Sequence, residues 1–523
     1  MKSFAPTLAA LLSLYEAAQA DSNSCARSNA APAKDQVKLA NCCKTLQDAG
    51  LTHVLYEGDE EYKARTASYW SVSAQLTPGC IVQPTSTEEV SLALKTLSGY
   101  GASDCQFAVR SGGHTTWAGS NNIDNGLTID LGLMNTTTYN EAENLAKIQP
   151  GNRWGMVYGA LEPHGVTVGG GRASSVGVAG FLTGGGNSFF TAHRGFACDQ
   201  VQNYEVVLGS GEIINANAEN NSDLFRALKG GSGNFGIVTR FDMQTFKQGN
   251  LWGGSMVYSK EHTQAHIDAY TAWVDNVENY PDGSSIIFWT YLPALKDVAI
   301  IAAYEDVAGN VAPAGFDKFM AINHTSSTMR LASHKNLTDE LEQASGYRDI
   351  WFTMTFKNNP RIFKHIVDAH QKFVDEWKAG TTDHDFITQC MFQAIPTIFA
   401  KHSEERGGNV LGLEREKDNA IMLLSNIAVK GGSDTEARAR TQLRAYGEEL
   451  QAFAAAQGGS VEWQFMNYAD SYQNPLGSYG AENVAKIKAA SAKYDPKGIF
   501  QTRCPGGFKI SKLQDATLPR REL

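Results

Sequence analysis

Apolar residues recur along this chain with two periods, and the switches between them mark out its elements. Val37, Ala40, Cys43 and Leu46 share one face over residues 35–50, which predicts a first helix stopped at Gly50. Cys80–Val82 reads as a short strand. Ser86, Thr87, Glu88 and Glu89 form a capping box that opens a helix with Val90, Leu94 and Leu97 on its buried face, ended at Gly99 and Gly101. Phe107–Arg110 is a second strand and runs straight into Ser111, Gly112, Gly113 and His114, a β-α-β unit that finishes in a glycine loop. A second glycine cluster covers 169–186. It is followed by a hairpin, 201–208 and 212–215, turning at Gly209-Ser210-Gly211. A short helix over 223–229 and a glycine turn then lead into another strand. Past Asn250 the glycine loops thin out. Long amphipathic helices are predicted at 260–278, 361–378 and 434–456, the second with Pro360 at its start. Strand-like runs fall at 286–291, 298–304, 387–392 and 421–427, and a last helix at 481–493.

Composition narrows the class. Hydrophobic residues are 42% and charged residues 19% of 523, which excludes disorder as the dominant state. A net charge of −10 argues against nucleic acid or an anionic membrane as partner. Fifty glycines against fifteen prolines point to backbone turns drawn close around a ligand. Residues 1–20 have the pattern of a secretory signal: Lys2, a mostly apolar run from Thr7 to Tyr15, and the small-residue site Ala18-Gln19-Ala20. No later stretch reaches the roughly 18 apolar residues of a membrane span, so the mature chain is expected in the secretory pathway or outside the cell, without a span. The eight cysteines, 25, 42, 43, 80, 105, 198, 390 and 504, form no CxxC pair, so disulfides are expected and a metal site is not. Asn135, Asn220, Asn323 and Asn336 head N-x-S/T sequons, which predicts a glycoprotein.

The two glycine loops carry the candidate chemistry. Paired glycines free backbone amides to bind phosphate, and two such loops suggest one extended ligand held at both ends. Neither loop is a GxGxxG between strand and helix, and the chain has no GxxxxGK[ST] or GxSxG. Rossmann, nucleotide-triphosphate and serine-hydrolase readings are therefore disfavoured.

The order of motifs resembles one family. VRSGGH at 109–114 followed by TTWAGSN, then SVGVAGFLTGGG at 175–186, CDQVQNYEVVL from Cys198, and DLFRALKGGSGNFGIVTRF from Asp223 are similar to the flavin loops and strands of FAD-linked oxidases with the p-cresol methylhydroxylase-type (vanillyl-alcohol oxidase) fold. NYAD at 467–470, SYG at 478–480, Asn483 and YDPKGIF at 494–500 resemble the C-terminal return of the berberine-bridge-enzyme-like branch, and PGGFK at 505–509 its fungal members. The resemblance implies an α+β, two-domain chain: an FAD-binding domain over 35–248 with its core at 75–245, a substrate domain over 249–460 built as an antiparallel sheet covered by helices, and a return to the FAD domain over 461–515. It assigns FAD contacts to Arg110, Ser111, Gly112, Gly113, His114, Gly119, Ser120, Ser174, Gly177, Gly180, Gly184, Gly185, Asn187, Gly236, Ile237, Val238 and Asn483. It also implies a flavin linked through its 8α-methyl carbon to His114. A second link needs a cysteine where this chain has Ala173, so attachment is expected to be single. Phe181 stands where relatives often have His.

The family's chemistry moves a hydride from substrate carbon to flavin N5 and then electrons to O2, while a base removes a hydroxyl or amine proton. The family's tyrosine base is replaced by Phe465, which leaves Tyr468, Asp470 and Gln393 as the catalytic candidates, with Tyr472 and Glu414 behind them. His193 and Arg194 could line the flavin. The function implied is oxidation, dehydrogenation or oxidative cyclisation of a small organic molecule in fungal secondary metabolism. The alternatives are an oligosaccharide oxidase, with Trp252, Trp273, Trp289 and Tyr291 as sugar-stacking candidates, or a flavin- or carbohydrate-binding protein impaired by Phe465. By the same resemblance Cys42 or Cys43 pairs with Cys105, with Cys80 as competitor.

Overall fold

The computed structural model describes residues 33–99, 104–382 and 384–513. The expected signal sequence, Cys25 and Gly101 lie outside the described residues, as do the side chains of Val37 and Ala40.

The first glycine loop is positioned by a four-stranded sheet in the order Val54–Leu55, Cys80–Val82, Leu127–Asp130, Phe107–Arg110. The helix Thr87–Ser98 joins Cys80–Val82 to Phe107–Arg110, and Ser86 caps it by accepting from the Glu89 amide, as the capping box predicts. The two strands of that β-α-β unit are not neighbours, however. Leu127–Asp130, which the sequence analysis leaves unassigned, inserts between them and runs parallel to both. An antiparallel five-stranded sheet follows, in the order 137–140, 145–148, 237–244, 201–207, 213–217, which contains the predicted hairpin.

Two disulfides leave consecutive residues of the first helix, Ala33–Asp48: Cys42 to Cys105 and Cys43 to Cys80. The two pairings open to the sequence therefore coexist. They tie the helix to the strand at Cys80 and to the segment that enters Phe107–Arg110, closing 63 and 37 residues of chain. Loops of that length make each bridge worth about 2–4 kcal/mol. Cys43→Ser/Cys80→Ser is expected to lower the thermal midpoint in calorimetry.

From Leu251 to Val461 the strands join one nine-stranded antiparallel sheet. Its central strands are Gly283–Leu292, Phe386–Ile395, Ala420–Val429 and Arg348–Lys357, and all ten residues of Ala420–Val429 are buried. One face is covered by the helices Thr263–Asn276, Pro360–Ala379 and Ser433–Ala456. Pro360–Ala379 shows why it docks there: Ile362, Phe363, Ile366, Val367, Phe373, Val374 and Trp377 form one apolar stripe, and Asn359 caps its first turn. The other face presents Ile286, Trp351, Met391 and Leu424 as a separate apolar cluster. Period-two alternation thus sends Ile350, Phe352 and Phe356 to the helices and Trp351 to the opposite side. Trp252, Trp273, Trp289 and Tyr291 are all buried in the core, so they present no sugar-stacking platform. Among the described residues no helix is long and apolar enough to cross a membrane, and no His/Cys/Asp/Glu group could hold a metal.

Candidate active site

The apolar face of the large sheet and the glycine loops enclose one cavity of about 350 Å³, within the size range of ligand sites. Ser111, Gly112, Gly113 and His114 line it from the first loop, with Ser120 further on. Gly177, Gly180 and Asn187 line it from the second cluster, and Gly236, Ile237 and Val238 from the strand after the third glycine turn. Ile286, Phe288, Trp351, Met391 and Leu424 close it from the sheet, and Tyr468 from the C-terminal return.

The two loops meet backbone to backbone. A Cβ on Gly112 would lie 2.4 Å from the Gly177 Cα, and one on Gly177 2.5 Å from the Gly112 Cα. Gly113 takes φ +67°, and a Cβ there would also press on Arg110. Gly112→Ala must force the loops apart, so purified Gly112→Ala is expected to carry less flavin, measured as the ratio of visible to ultraviolet absorbance.

Several expected FAD contacts have other work. Arg110 is fully buried beneath the loop, donates to the Arg65 carbonyl at 2.6 Å and to Ser68 Oγ at 2.8 Å, and lies 3.7 Å from the Tyr69 ring centroid. It supports the loop and does not line the cavity. Gly119 lies under the C-terminal tail, where a Cβ on Gly506 would meet its carbonyl. Ser174 Oγ donates to Asp339 at 2.5 Å. Gly184 and Gly185 are pressed by Asn467 and Phe465 and stand outside the cavity. Asn467 donates to the carbonyls of Gly180 and Phe181, so the Asn of the NYAD motif fastens the second loop. Asn483 binds Glu414 at 2.9 Å and the Tyr479 carbonyl, which removes both Asn483 and Glu414 from the site.

His114 is half-buried on the cavity wall, with the Trp70 ring stacked on it at 4.6 Å and 12°. Burial, and after it the nearby Arg153 cation, lower its pKa to about 4, so the imidazole is neutral at physiological pH. Trp70 continues to Trp351 at 5.8 Å, and Trp351 to Tyr468 at 5.6 Å.

The Tyr468 hydroxyl accepts from Arg172 Nη2 at 3.2 Å and from Gln393 Nε2 at 3.1 Å. Gln393 Oε1 in turn accepts from Arg172 and from Asn187 Nδ2 at 3.2 Å. The amide orientation follows from its partners, because a guanidinium can only donate. With two donors aimed at the Tyr468 oxygen, its own proton is left for the cavity. Phe465 packs edge-on against Tyr468 at 5.0 Å.

Asp470 does not belong to this group. It is fully buried in a charge pair with Arg440 at 2.6 Å and accepts from Ser471. A carboxylate so neutralised is structural, since a buried acid needs its cation more than it can serve as a free base. Tyr472 is covered by Arg444 at 5.1 Å. His193 pairs with Asp282 at 2.6 Å, and Arg194 stacks on Phe246. None of these lines the cavity.

Sequence reasoning missed Arg172, Trp70 and Trp351. Arg172 had a signal, as the only charged residue in the glycine cluster at 169–186. Trp70 and Trp351 had none, because their neighbours are remote in the chain.

The lining fits FAD. Two loops without side chains at their point of contact leave room for a pyrophosphate, and Trp117 Nε1 and Asn121 Oδ1, buried and without protein partners, face the same cavity. Fold and site thus define an FAD-dependent oxidoreductase. Residues 78–217 match the model of the FAD binding domain family. FAD-dependent monooxygenase drtC from Aspergillus calidoustus is 38% identical over 91% of this chain and 91% of its own length. The fold matches that of a berberine bridge enzyme variant in complex with (S)-reticuline, at TM-score 0.69 and 15% identity over 88% of this chain and 97% of that one. It matches that of glucooligosaccharide oxidase from Acremonium strictum, studied for its 6-S-cysteinyl, 8α-N1-histidyl FAD, at TM-score 0.68 and 18% identity over 88% and 97%. The chain belongs to the family of fungal FAD-dependent monooxygenases that includes drtC, and it has the fold of the berberine bridge enzyme and of the oligosaccharide oxidases.

Proposed function

We propose that this protein is a secreted or secretory-pathway oxidase that removes two electrons from a small organic substrate in fungal secondary metabolism. The observation that carries the reading is the continuity of one cavity from the glycine loops and His114 to an apolar slot headed by Tyr468 and Arg172, with Gln393 bonded to both from behind the wall. FAD, when bound, supplies a hydride acceptor at N5 and passes the electrons to O2. His114 would hold it by a single link at the 8α carbon, since Ala173 offers no second nucleophile.

The chain's own residues do the remaining work. Trp351, Phe288 and Met391 exclude water and orient an apolar substrate body. Arg172 and Gln393 fix the Tyr468 oxygen at the end of that slot; once the phenol has given its own proton up through the cavity, the phenolate these two donors hold takes the substrate proton. Secretion is supported by the two disulfides and by the exposure of all four sequon asparagines, Asn135, Asn220, Asn323 and Asn336. The oligosaccharide reading loses its stacking aromatics to the core.

Peroxide release in air over a panel of aromatic alcohols, phenols and oligosaccharides tests the proposal. Turnover is expected with apolar-bodied substrates. Turnover confined to oligosaccharides would replace it with the sugar-oxidase reading.

A further inference from the structure

We propose that Lys509, on the C-terminal tail, is the cation that meets the pyrophosphate of bound FAD, so that the tail closes the cofactor end of the cavity. The inference rests on FAD binding and is independent of the substrate reading above.

The tail is built into the cavity wall, and Gly506, Gly507, Phe508 and Lys509 all line it. It is seated by backbone contact. A Cβ on Gly506 would lie 2.2 Å from the Gly119 carbonyl oxygen and 2.6 Å from that of Ser120, and Gly507 takes φ +79°. Phe508 meets the Trp117 ring at 5.5 Å and 62°. Asn234 holds the residues on either side of Lys509. Its Nδ2 donates to the Phe508 carbonyl at 2.9 Å, and its Oδ1 accepts from the Ile510 amide at 3.2 Å.

Lys509 is 4% exposed, and its Nζ donates to the Gly233 carbonyl at 3.0 Å. An ammonium has three donors, so two are left. Among the described residues no carboxylate lies within ion-pair distance of it. Asp495, the acid whose field it feels, spends its two oxygens on the Ile499 and Phe500 amides at 2.8 Å each. Burial first, and Lys512 after it, push the Lys509 pKa down. A buried cation is costly unless an anion meets it, and none of the described residues that line the cavity is acidic. FAD brings one anionic group, its pyrophosphate. Gly233 and Gly507 each have open space where a Cβ would stand, which leaves a phosphate room to reach the ammonium. Trp117 Nε1, buried and without a partner in the same lining, is a second donor. These groups come from the glycine loops and the tail, whereas the substrate slot is walled by Phe288, Trp351 and Met391 of the large sheet, so Lys509 addresses the cofactor.

The test uses full-length His114→Ala protein, from which FAD should exchange, with Lys509→Met or Lys509→Arg added and binding read from flavin fluorescence. Lys509→Met is expected to weaken FAD roughly tenfold to a hundredfold, as for hydrogen bonds between charged groups, while riboflavin, which has no phosphate, binds as before. As a competitor, ADP should lose its advantage over adenosine by the same factor, and Lys509→Arg should keep most of both. Equal loss of FAD and riboflavin would make Lys509 an anchor of the tail alone and overturns the proposal. So does unchanged FAD affinity in Lys509→Met, or an ADP advantage that survives there. If flavin stays attached in His114→Ala, the ratio of visible to ultraviolet absorbance in Lys509→Met with His114 intact decides. Underloading that added FAD refills upholds the proposal, and full loading overturns it.

Discussion

Tyr468→Phe is expected to lower kcat by roughly 10²–10⁴-fold while the flavin spectrum stays unchanged, the loss typical of one positioned acid–base group. The hydroxyl is the sole polar atom removed, and it is held by Arg172 and Gln393 at 3.2 and 3.1 Å at the end of the apolar slot. The phenyl ring keeps its edge contacts with Trp351 and Phe465, so the fold should survive. Gln393→Leu should be milder, because Arg172 still reaches the Tyr468 oxygen. Asp470→Asn should instead cost stability, because it strands Arg440 beside a buried group that no longer neutralises it. Stopped-flow reduction under anaerobic conditions separates the cases. Unchanged flavin reduction in Tyr468→Phe would remove Tyr468 from the chemistry.

His114→Ala should convert a flavin that survives denaturation into one that does not. The imidazole is neutral, since burial holds its pKa near 4, and Trp70 fixes the ring plane from one side. A neutral imidazole nitrogen is the form able to make a bond to carbon. Of the free cysteines among the described residues, Cys198 and Cys390 lie buried away from the cavity, and Cys504 lines it. Burial pushes the Cys504 thiol up, which leaves it protonated and a poor nucleophile. The peptide map of wild-type protein should therefore carry FAD mass on the His114 fragment alone. In His114→Ala, FAD should still enter the cradle formed by Gly112 and Gly177, because that contact is backbone to backbone, but it should wash out on denaturation.

Much of the scaffold was legible because local signals suffice for it. The Ser86 capping box, the strand at Cys80–Val82, the stripe of Pro360–Ala379 and the hairpin after Val201 each depend on residues within one or two turns. Strand Leu251–Ser259 was not legible, since Gly253 and Gly254 interrupt its apolar pattern. Those glycines are required by close approach of the Tyr304 and Thr328 carbonyls, which only the fold supplies. Arg348–Lys357 carries a readable alternation, with Ile350, Phe352, Met354 and Phe356 on one face, so this strand is legible from local signals as well. The glycine loops were legible, yet which glycine lines the cavity was not: Gly112 and Gly177 do, whereas Gly184 and Gly185 make room for Asn467 and Phe465. For Asp470 the NYAD motif suggested chemistry, and the deciding partner, Arg440, lies thirty residues earlier on the helix Ser433–Ala456. The same limit hid Arg172, whose meaning comes from Gln393 and Tyr468, 221 and 296 residues away.

As an FAD oxidoreductase, the protein should hold its flavin through His114. The most direct test is the absorption spectrum of protein purified from a secreting host, taken before and after acid precipitation. The two flavin bands in the native protein, a yellow pellet and a colourless supernatant are expected. A colourless folded protein that takes up no FAD, or flavin released entirely into the supernatant, would contradict that expectation.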